Sequence, residues 1–100
     1  MTFTEKQRND IEKLSAINYS VKQVAIYLNL DAALLQHEYE DEESEFHYHY
    51  TRGMLVAKAE IDMATLESAK KGNISAMQRY DKQVSQNKID QIKREIFGID

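Results

Sequence analysis

The chain contains no proline, and its only three glycines are Gly53, Gly72 and Gly98. Proline and glycine interrupt helices more than any other residues do, and turn-rich β-sandwiches depend on them. Stretches rich in glutamate, lysine, alanine and leucine also favour helix. A length of 100 residues is typical of a single domain. The sequence therefore predicts one small all-α chain.

Two capping boxes mark helix starts near the beginning of the chain. Thr4 is followed three residues later by Gln7, and Ser20 is followed by Gln23 in the same way. In such a box the hydroxyl accepts from a backbone N–H and the glutamine reaches back to the cap. Apolar residues at helical spacing follow each box. We predict a first helix from Thr4 to the exit at 18–19 and a second helix from Ser20.

The segment 24–35 has the pattern of a helix-turn-helix. Such a motif needs a small residue where two helices cross, a left-handed turn residue, an apolar corner residue, an N-cap and apolar residues that hold the second helix to the core. These needs are met in order by Ala25, Asn29, Leu30, Asp31, and the pair Leu34 and Leu35. We predict a tri-helical helix-turn-helix unit over residues 1–40, with its third helix ending near Glu40. An ordinary helical hairpin is the alternative.

In a helix-turn-helix the outward residues of the last helix face the DNA major groove. Gln36 could pair with adenine, and His37 could donate to guanine or to a phosphate. Ala32 and Ala33 could touch thymine methyl groups. These four residues are the candidate base-facing positions, and Lys6, Arg8 and Lys22 of the first two helices are the candidate phosphate contacts.

The distribution of charge opposes simple DNA binding by this unit. Residues 1–50 hold ten acidic and four basic residues, whereas residues 51–100 hold seven acidic and nine basic ones. The third helix has neither lysine nor arginine, and six of the eight residues in 38–45 are acidic. A duplex-binding surface is usually basic. We interpret the acidic run as a solvated connector or a helix start, with an N-cap at Asp41 or Ser44.

Residues 41–100 are predicted to form a long helical hairpin. Its first helix runs from Ser44 to Lys71 and ends at Gly72, a typical left-handed stop. One apolar stripe follows that helix, widened by Leu55, Leu66 and Ala69, and it comprises Phe46, Tyr50, Met54, Ala57, Ile61 and Ala64. A second helix begins at Asn73; it either continues to Gly98 or breaks at 85–87 to give a sixth helix. Such a stripe favours homo-oligomerisation, with an intramolecular core as the alternative.

The order of these features resembles phage terminase small subunits and related phage helix-turn-helix proteins. Beyond the helix-turn-helix and the acidic connector, the resemblance depends on an aromatic residue three before glycine (50–53), on Glu60-Ile61 in the long helix, and on the segment Ala69 to Ala76. It covers roughly residues 4–82. It implies a protein that recognises the viral genome for packaging, assembles as a ring and passes DNA to a large ATPase–nuclease subunit. The alternatives are a dimeric helix-turn-helix transcription regulator and a helical protein-interaction module that does not bind DNA.

Other chemistry receives little support from the sequence. There is no cysteine, no glycine-rich phosphate loop and no nucleophile elbow around any serine. His47 and His49 are two positions apart, so on a helix they point to different sides and cannot chelate one ion. The acidic run lacks the glycine of a calcium loop. We predict no catalytic residues, no metal, no cofactor, no membrane span and a location in the cytoplasm, that of the host cell if the chain is phage-encoded.

Overall fold

The computed structural model describes the backbone of residues 1–97 and the side chains of residues 1–94. It contains five helices and, within the described residues, no strand: α1 (Glu5–Ala16), α2 (Val21–Leu28), α3 (Ala32–Glu40), α4 (Glu45–Lys70) and α5 (Ile74–Phe97). The predicted all-α fold, with three short helices before a long helical hairpin, is confirmed. The predicted helix end at Gly98 lies outside the described residues.

Both capping boxes form as predicted. The Thr4 hydroxyl accepts from the Gln7 backbone N–H at 3.1 Å, and the Gln7 side chain accepts from the Thr4 N–H at 2.9 Å. Ser20 and Gln23 repeat this exchange at 3.2 and 2.9 Å. Each box satisfies two backbone donors that a helix start otherwise leaves open. The sequence therefore located the first residues of α1 and α2 correctly.

The turn between α2 and α3 has the predicted helix-turn-helix geometry. Asn29 adopts the left-handed conformation, with φ 58° and ψ 46°, which asparagine tolerates better than most residues. The Asp31 side chain accepts from the Leu34 N–H at 2.9 Å and thereby caps α3. Ala25 is fully buried, as the close crossing of two helices requires.

The first compact unit comprises Met1–Ala59 and therefore includes the first half of α4. Its fully buried large side chains come from α1, α2, α3 and α4, and they are Ile11, Val24, Leu35 and Phe46. Phe3, Val21 and Tyr50 join the same cluster, and Leu14, Leu28 and Leu30 pack against it. The boundary between compact units falls after Ala59, whereas the sequence suggested a division after residue 40.

The prediction that Leu34 is a core residue was wrong. Leu34 is 46% exposed, whereas the neighbouring Leu35 is fully buried. Consecutive residues of a helix point about 100° apart, so a short helix packed along one side buries only one of the two. Leu35 alone holds this part of α3 to the core.

The apolar stripe predicted along α4 is buried only in its first part. Phe46 and Tyr50 are buried in the first unit, but Ile61 is 62% exposed and Ala64 is exposed. Leu55, which was expected to widen the stripe, is exposed as well. Helical spacing alone shows that residues share a side, but not whether that side has anything to pack against.

The second compact unit begins at Glu60 and contains the end of α4 and α5. The helices are joined at Gly72, whose φ is +86°, and the Asn73 side chain caps α5 by accepting from the Ala76 N–H at 2.8 Å. The buried residues among those described here are small ones, Thr65, Ala69 and Ala76. α5 continues through residues 85–87 without a break, so the second helix of the hairpin is a single helix.

Candidate nucleic-acid interface

The exposed side of α3 is the candidate surface for contacting bases. Ala33, Gln36, His37 and Glu40 are all exposed, one turn apart or less along the helix. Ala32, which the sequence also placed at the interface, is partly buried and packs against the core. The structure therefore brings three of the four candidate base-facing residues together on one accessible surface and turns Ala32 towards the interior.

Two polar side chains on this surface are joined to each other. The Gln36 amide Nε2 donates to Glu40 Oε1 at 3.4 Å. Such a contact leaves the Gln36 carbonyl oxygen and one amide hydrogen available. Glutamine reads adenine with one donor and one acceptor from the same amide group, so the contact is compatible with base recognition.

The surroundings of this surface are acidic. Within α3, Glu40 is exposed, and Asp41, Glu42 and Glu43 follow it as exposed residues. Glu38 instead lies 3.7 Å from the ammonium group of Met1. Since α3 carries no lysine or arginine, exposed carboxylates would meet the phosphates of a bound duplex unfavourably. Phosphate attraction has to come from other parts of the protein.

The three cations expected to contact phosphates differ in their availability. Lys22 is exposed and forms no ion pair among the described residues. Lys6 lies 3.3 Å from Asp10 one turn further along α1. The Arg8 guanidinium donates to Glu45 of α4 and lowers the pKa of that carboxyl group. Arg8 is therefore an internal link between helices rather than a free phosphate contact.

A charged cluster that the sequence analysis missed links α1 to α4. Glu12 accepts from His49 Nδ1 at 2.5 Å and from the Arg52 guanidinium. Partial burial raises the pKa of Glu12, but the hydrogen bonds from His49 and Arg52 outweigh it and leave that pKa below its ordinary value. No sequence pattern joins Glu12 to residues 37 and 40 positions later, so only the folded chain shows this contact.

The other histidine of the 47–50 segment has a different partner. His47 Nδ1 lies 2.7 Å from the backbone oxygen of Tyr39, while His49 faces Glu12. The two rings therefore point to different partners, as their spacing predicted. Among the described residues, no group of three or more histidine, aspartate or glutamate side chains is arranged to hold a metal ion.

The second unit contains an open apolar groove of about 150 Å³ between the end of α4 and α5. Its lining is mainly Met63, Leu66, Tyr80 and Val84. Gln83 also lines the groove, and its Oε1 is buried and has no hydrogen-bond partner among the described residues. Met63 and Val84 are about half exposed, so the groove presents large apolar side chains to solvent.

Comparison with known protein families, with curated proteins and with solved structures found no match for this chain. The helices within the described residues are all too short or too polar to cross a membrane.

Proposed function

We propose that this chain is a DNA-binding protein of the phage helix-turn-helix type, similar in role to a terminase small subunit that recognises a viral genome for packaging. The observation that carries this proposal is the placement of α3. Its start is capped by Asp31, its inner side is held by Leu35, and its outer side exposes Ala33, Gln36 and His37. A helix fixed in this way can enter a major groove without rearrangement.

The exposed side chains of α3 favour reading of bases over strong electrostatic attraction. Gln36 has the donor and acceptor pair that matches adenine, and Ala33 offers a methyl group for contact with thymine. His37 can donate to guanine or to a phosphate. Because the surrounding carboxylates weaken each contact, useful affinity requires several copies of the unit to bind one DNA molecule, which raises the overall affinity through avidity.

The groove of the second unit supports self-association in this proposal. An isolated hairpin whose described buried residues are only small ones gains little from its own packing. Met63 and Val84 would be covered if a second copy were seated on the groove. A ring, and delivery of DNA to a large terminase subunit in the host cytoplasm, are the further parts of the proposal that rest on the resemblance.

A second candidate function is favoured by the acidic surface. Exposed carboxylates at Glu40, Asp41, Glu42 and Glu43, with no cation on α3, suit a basic protein partner. In that case α3 and the connector would form the docking surface, and duplex DNA would not bind. A third candidate function is that of a dimeric transcription regulator. It would use the same α3 surface but bind a palindromic site as two copies.

Binding to a randomised pool of labelled duplexes tests the main proposal. The wild-type chain should bind at low salt and enrich a preferred sequence, and Gln36→Ala with His37→Ala should abolish that preference. Ser85→Ala, an exposed polar residue of α5, is the control and should leave the preference unchanged. Failure of the wild-type chain to bind any duplex at about 50 mM salt, where phosphate contacts are strong, would reject DNA binding in favour of the basic-partner candidate.

Light scattering of the purified chain tests the assembly. One copy has a mass of 11.7 kDa, so a ring, a dimer and a monomer are easily separated. Met63→Glu should shift any oligomer towards the monomer because it places a charge in the apolar groove. Glu42→Gln serves as a surface control outside the groove. A wild-type chain that remains monomeric at all concentrations would exclude both the ring and the dimer.

A further inference from the structure

Three cations of α5 lie on one side of the helix. Lys82 follows Arg79 by three residues, and Lys93 follows Lys82 by eleven, which is close to three full helical turns. All three side chains are exposed. None forms an ion pair with a carboxylate among the described residues. We call these three residues the basic stripe.

The carboxylates of α5 offset only part of the charge of the basic stripe. By helical spacing, Asp81 lies on a different side of the helix from Arg79 and Lys82. Asp90 follows Arg79 by eleven residues and therefore lies on the same side as the stripe, where its carboxylate accepts from Gln86 Nε2 at 2.9 Å and offsets one of the three positive charges. The stripe therefore keeps an excess of positive charge along its length, in contrast to the acidic surroundings of α3.

The turn before α5 extends this positive surface. Lys70 and Lys71 are exposed and directly precede Gly72, while Arg79 lies in the second turn of α5. Neither lysine forms an ion pair among the described residues. In the adjoining turn of α4, Glu67 is exposed and lies three and four residues before the two lysines, so it offsets part of their charge. The turn and the stripe together hold five cations.

We propose that the basic stripe binds the phosphate backbone of duplex DNA and supplies the electrostatic attraction that α3 lacks. This inference rests on the proposed DNA-binding function and deepens it, because it assigns phosphate binding to the stripe and base recognition to α3. From Arg79 to Lys93 the stripe spans about 21 Å at 1.5 Å per residue. Duplex DNA carries one negative charge per about 1.7 Å of its axis, so cations at several points along the stripe have phosphates within reach.

Duplex DNA suits the stripe better than an acidic protein does. The cations recur along a line, as the charges of a phosphate backbone do. Among the side chains described up to residue 94, only one large apolar one, Ile89, lies at the edge of the stripe to add specific packing. Contacts of this kind position a protein on DNA without reading its sequence. The stripe should therefore control affinity and salt dependence, whereas α3 should control base preference.

Salt-dependent binding of the full chain to one labelled duplex tests this division. The double variant Arg79→Gln with Lys82→Gln should bind less tightly at low salt. Its plot of log affinity against log salt should become less steep by about 1.8, since each lost phosphate contact reduces the slope by about 0.9. Its preference among duplex sequences should be unchanged.

A charge-matched control on the same helix is available. Lys88→Glu changes the net charge by the same two units, and helical spacing places Lys88 on the side of α5 opposite the stripe. This control should change the salt slope much less than the stripe variant does. Helix content measured by circular dichroism should be the same for all three proteins. Equal changes in slope for the stripe variant and for Lys88→Glu would overturn the inference, because net charge alone would then explain them.

Other outcomes distinguish a failure of phosphate binding by the stripe from a failure of DNA binding by the whole chain. If the α3 variants lose base preference while the stripe variant keeps the wild-type slope, DNA binding stands and the inference fails. If the wild-type chain binds no duplex, both fail. If the stripe variant instead loses binding only to vesicles of phosphatidylserine, the partner is an anionic membrane surface and the inference is wrong.

Discussion

Gly53 of α4 lies directly against Ser15 of α1. Ser15 is fully buried, and its hydroxyl donates to the backbone oxygen of Glu12 at 3.1 Å. A Cβ atom at position 53 would overlap both the Ser15 side chain and the Glu12 backbone. The two helices can approach this closely only because position 53 has no side chain.

We therefore expect Gly53→Ala to destabilise the first unit by about 1–3 kcal/mol, the usual cost of overpacking. The expected loss of stability is opposite to the usual effect, because replacing glycine with alanine inside a helix normally stabilises a protein by up to about 1 kcal/mol. Urea unfolding followed by circular dichroism measures the change. Ser85→Ala, in the exposed part of α5, is the control and should be neutral or slightly stabilising. A gain in stability from Gly53→Ala would show that the helices are further apart than described.

The crossing within the helix-turn-helix gives a second prediction. Ala25 is fully buried, so Ala25→Leu should overpack that crossing and lower the free energy of unfolding by about 1–3 kcal/mol. Ala33→Leu introduces the same side chain at an exposed position of α3 and should change stability by less than about 0.5 kcal/mol. Thermal unfolding of both variants makes the comparison. Equal stability would mean that Ala25 does not lie where α2 and α3 cross.

The local parts of the fold could be predicted from the sequence because their causes are local. Thr4, Ser20 and Asp31 each bond to a backbone group three residues away, and Asn29 is suited to its own backbone angles. The side of a helix that becomes buried depends on distant partners instead. Leu34 and Ile61 have the spacing of core residues, yet they are exposed because no other element packs against them.

The candidate interface also combines features with local causes, which the sequence predicts, and long-range contacts, which it does not. The outward placement of Gln36 and His37 followed from the position of the turn. Ala32 packs against the core because it lies three residues before the buried Leu35, on the same side of α3. The pairing of Arg8 with Glu45 joins residues 37 positions apart, and no periodicity in the sequence indicates it. Long-range ion pairs of this kind decide which predicted phosphate contacts remain available.

The contacts of Glu12 make stability depend on pH. Hydrogen bonds from His49 and Arg52 hold the folded-state pKa of Glu12 below the ordinary value of 4.5. Ionised Glu12 therefore stabilises the fold above that value, and this contribution is lost as the pH falls through the folded-state pKa. At neutral pH, Glu12→Gln should cost about 1 kcal/mol, a modest amount because Arg52 is half exposed.

Well below pH 4.5, the free energy of unfolding of Glu12→Gln should equal that of the wild-type chain. Urea unfolding of both proteins at neutral and acid pH measures the difference at each end. Glu42→Gln, an exposed carboxylate without an ion pair among the described residues, is the matched control and should show no such dependence. If the free energies of unfolding of Glu12→Gln and the wild-type chain differed by the same amount at every pH, ionisation of Glu12 could not be the cause.

Phe3 anchors the segment before α1, although the first ten residues read as polar. Its ring is 6% exposed and lies 6.2 Å from the ring of Phe46, centre to centre. Phe3→Ala should destabilise the first unit by about 3 kcal/mol, because the loss of a buried aromatic ring leaves a cavity beside Phe46. Phe3→Leu should cost less than Phe3→Ala because it refills part of that space, and Thr2→Ala, at an exposed neighbour, should be neutral. Urea unfolding separates these outcomes, and a Phe3→Ala variant as stable as Thr2→Ala would mean that the N-terminal segment does not contribute to the core.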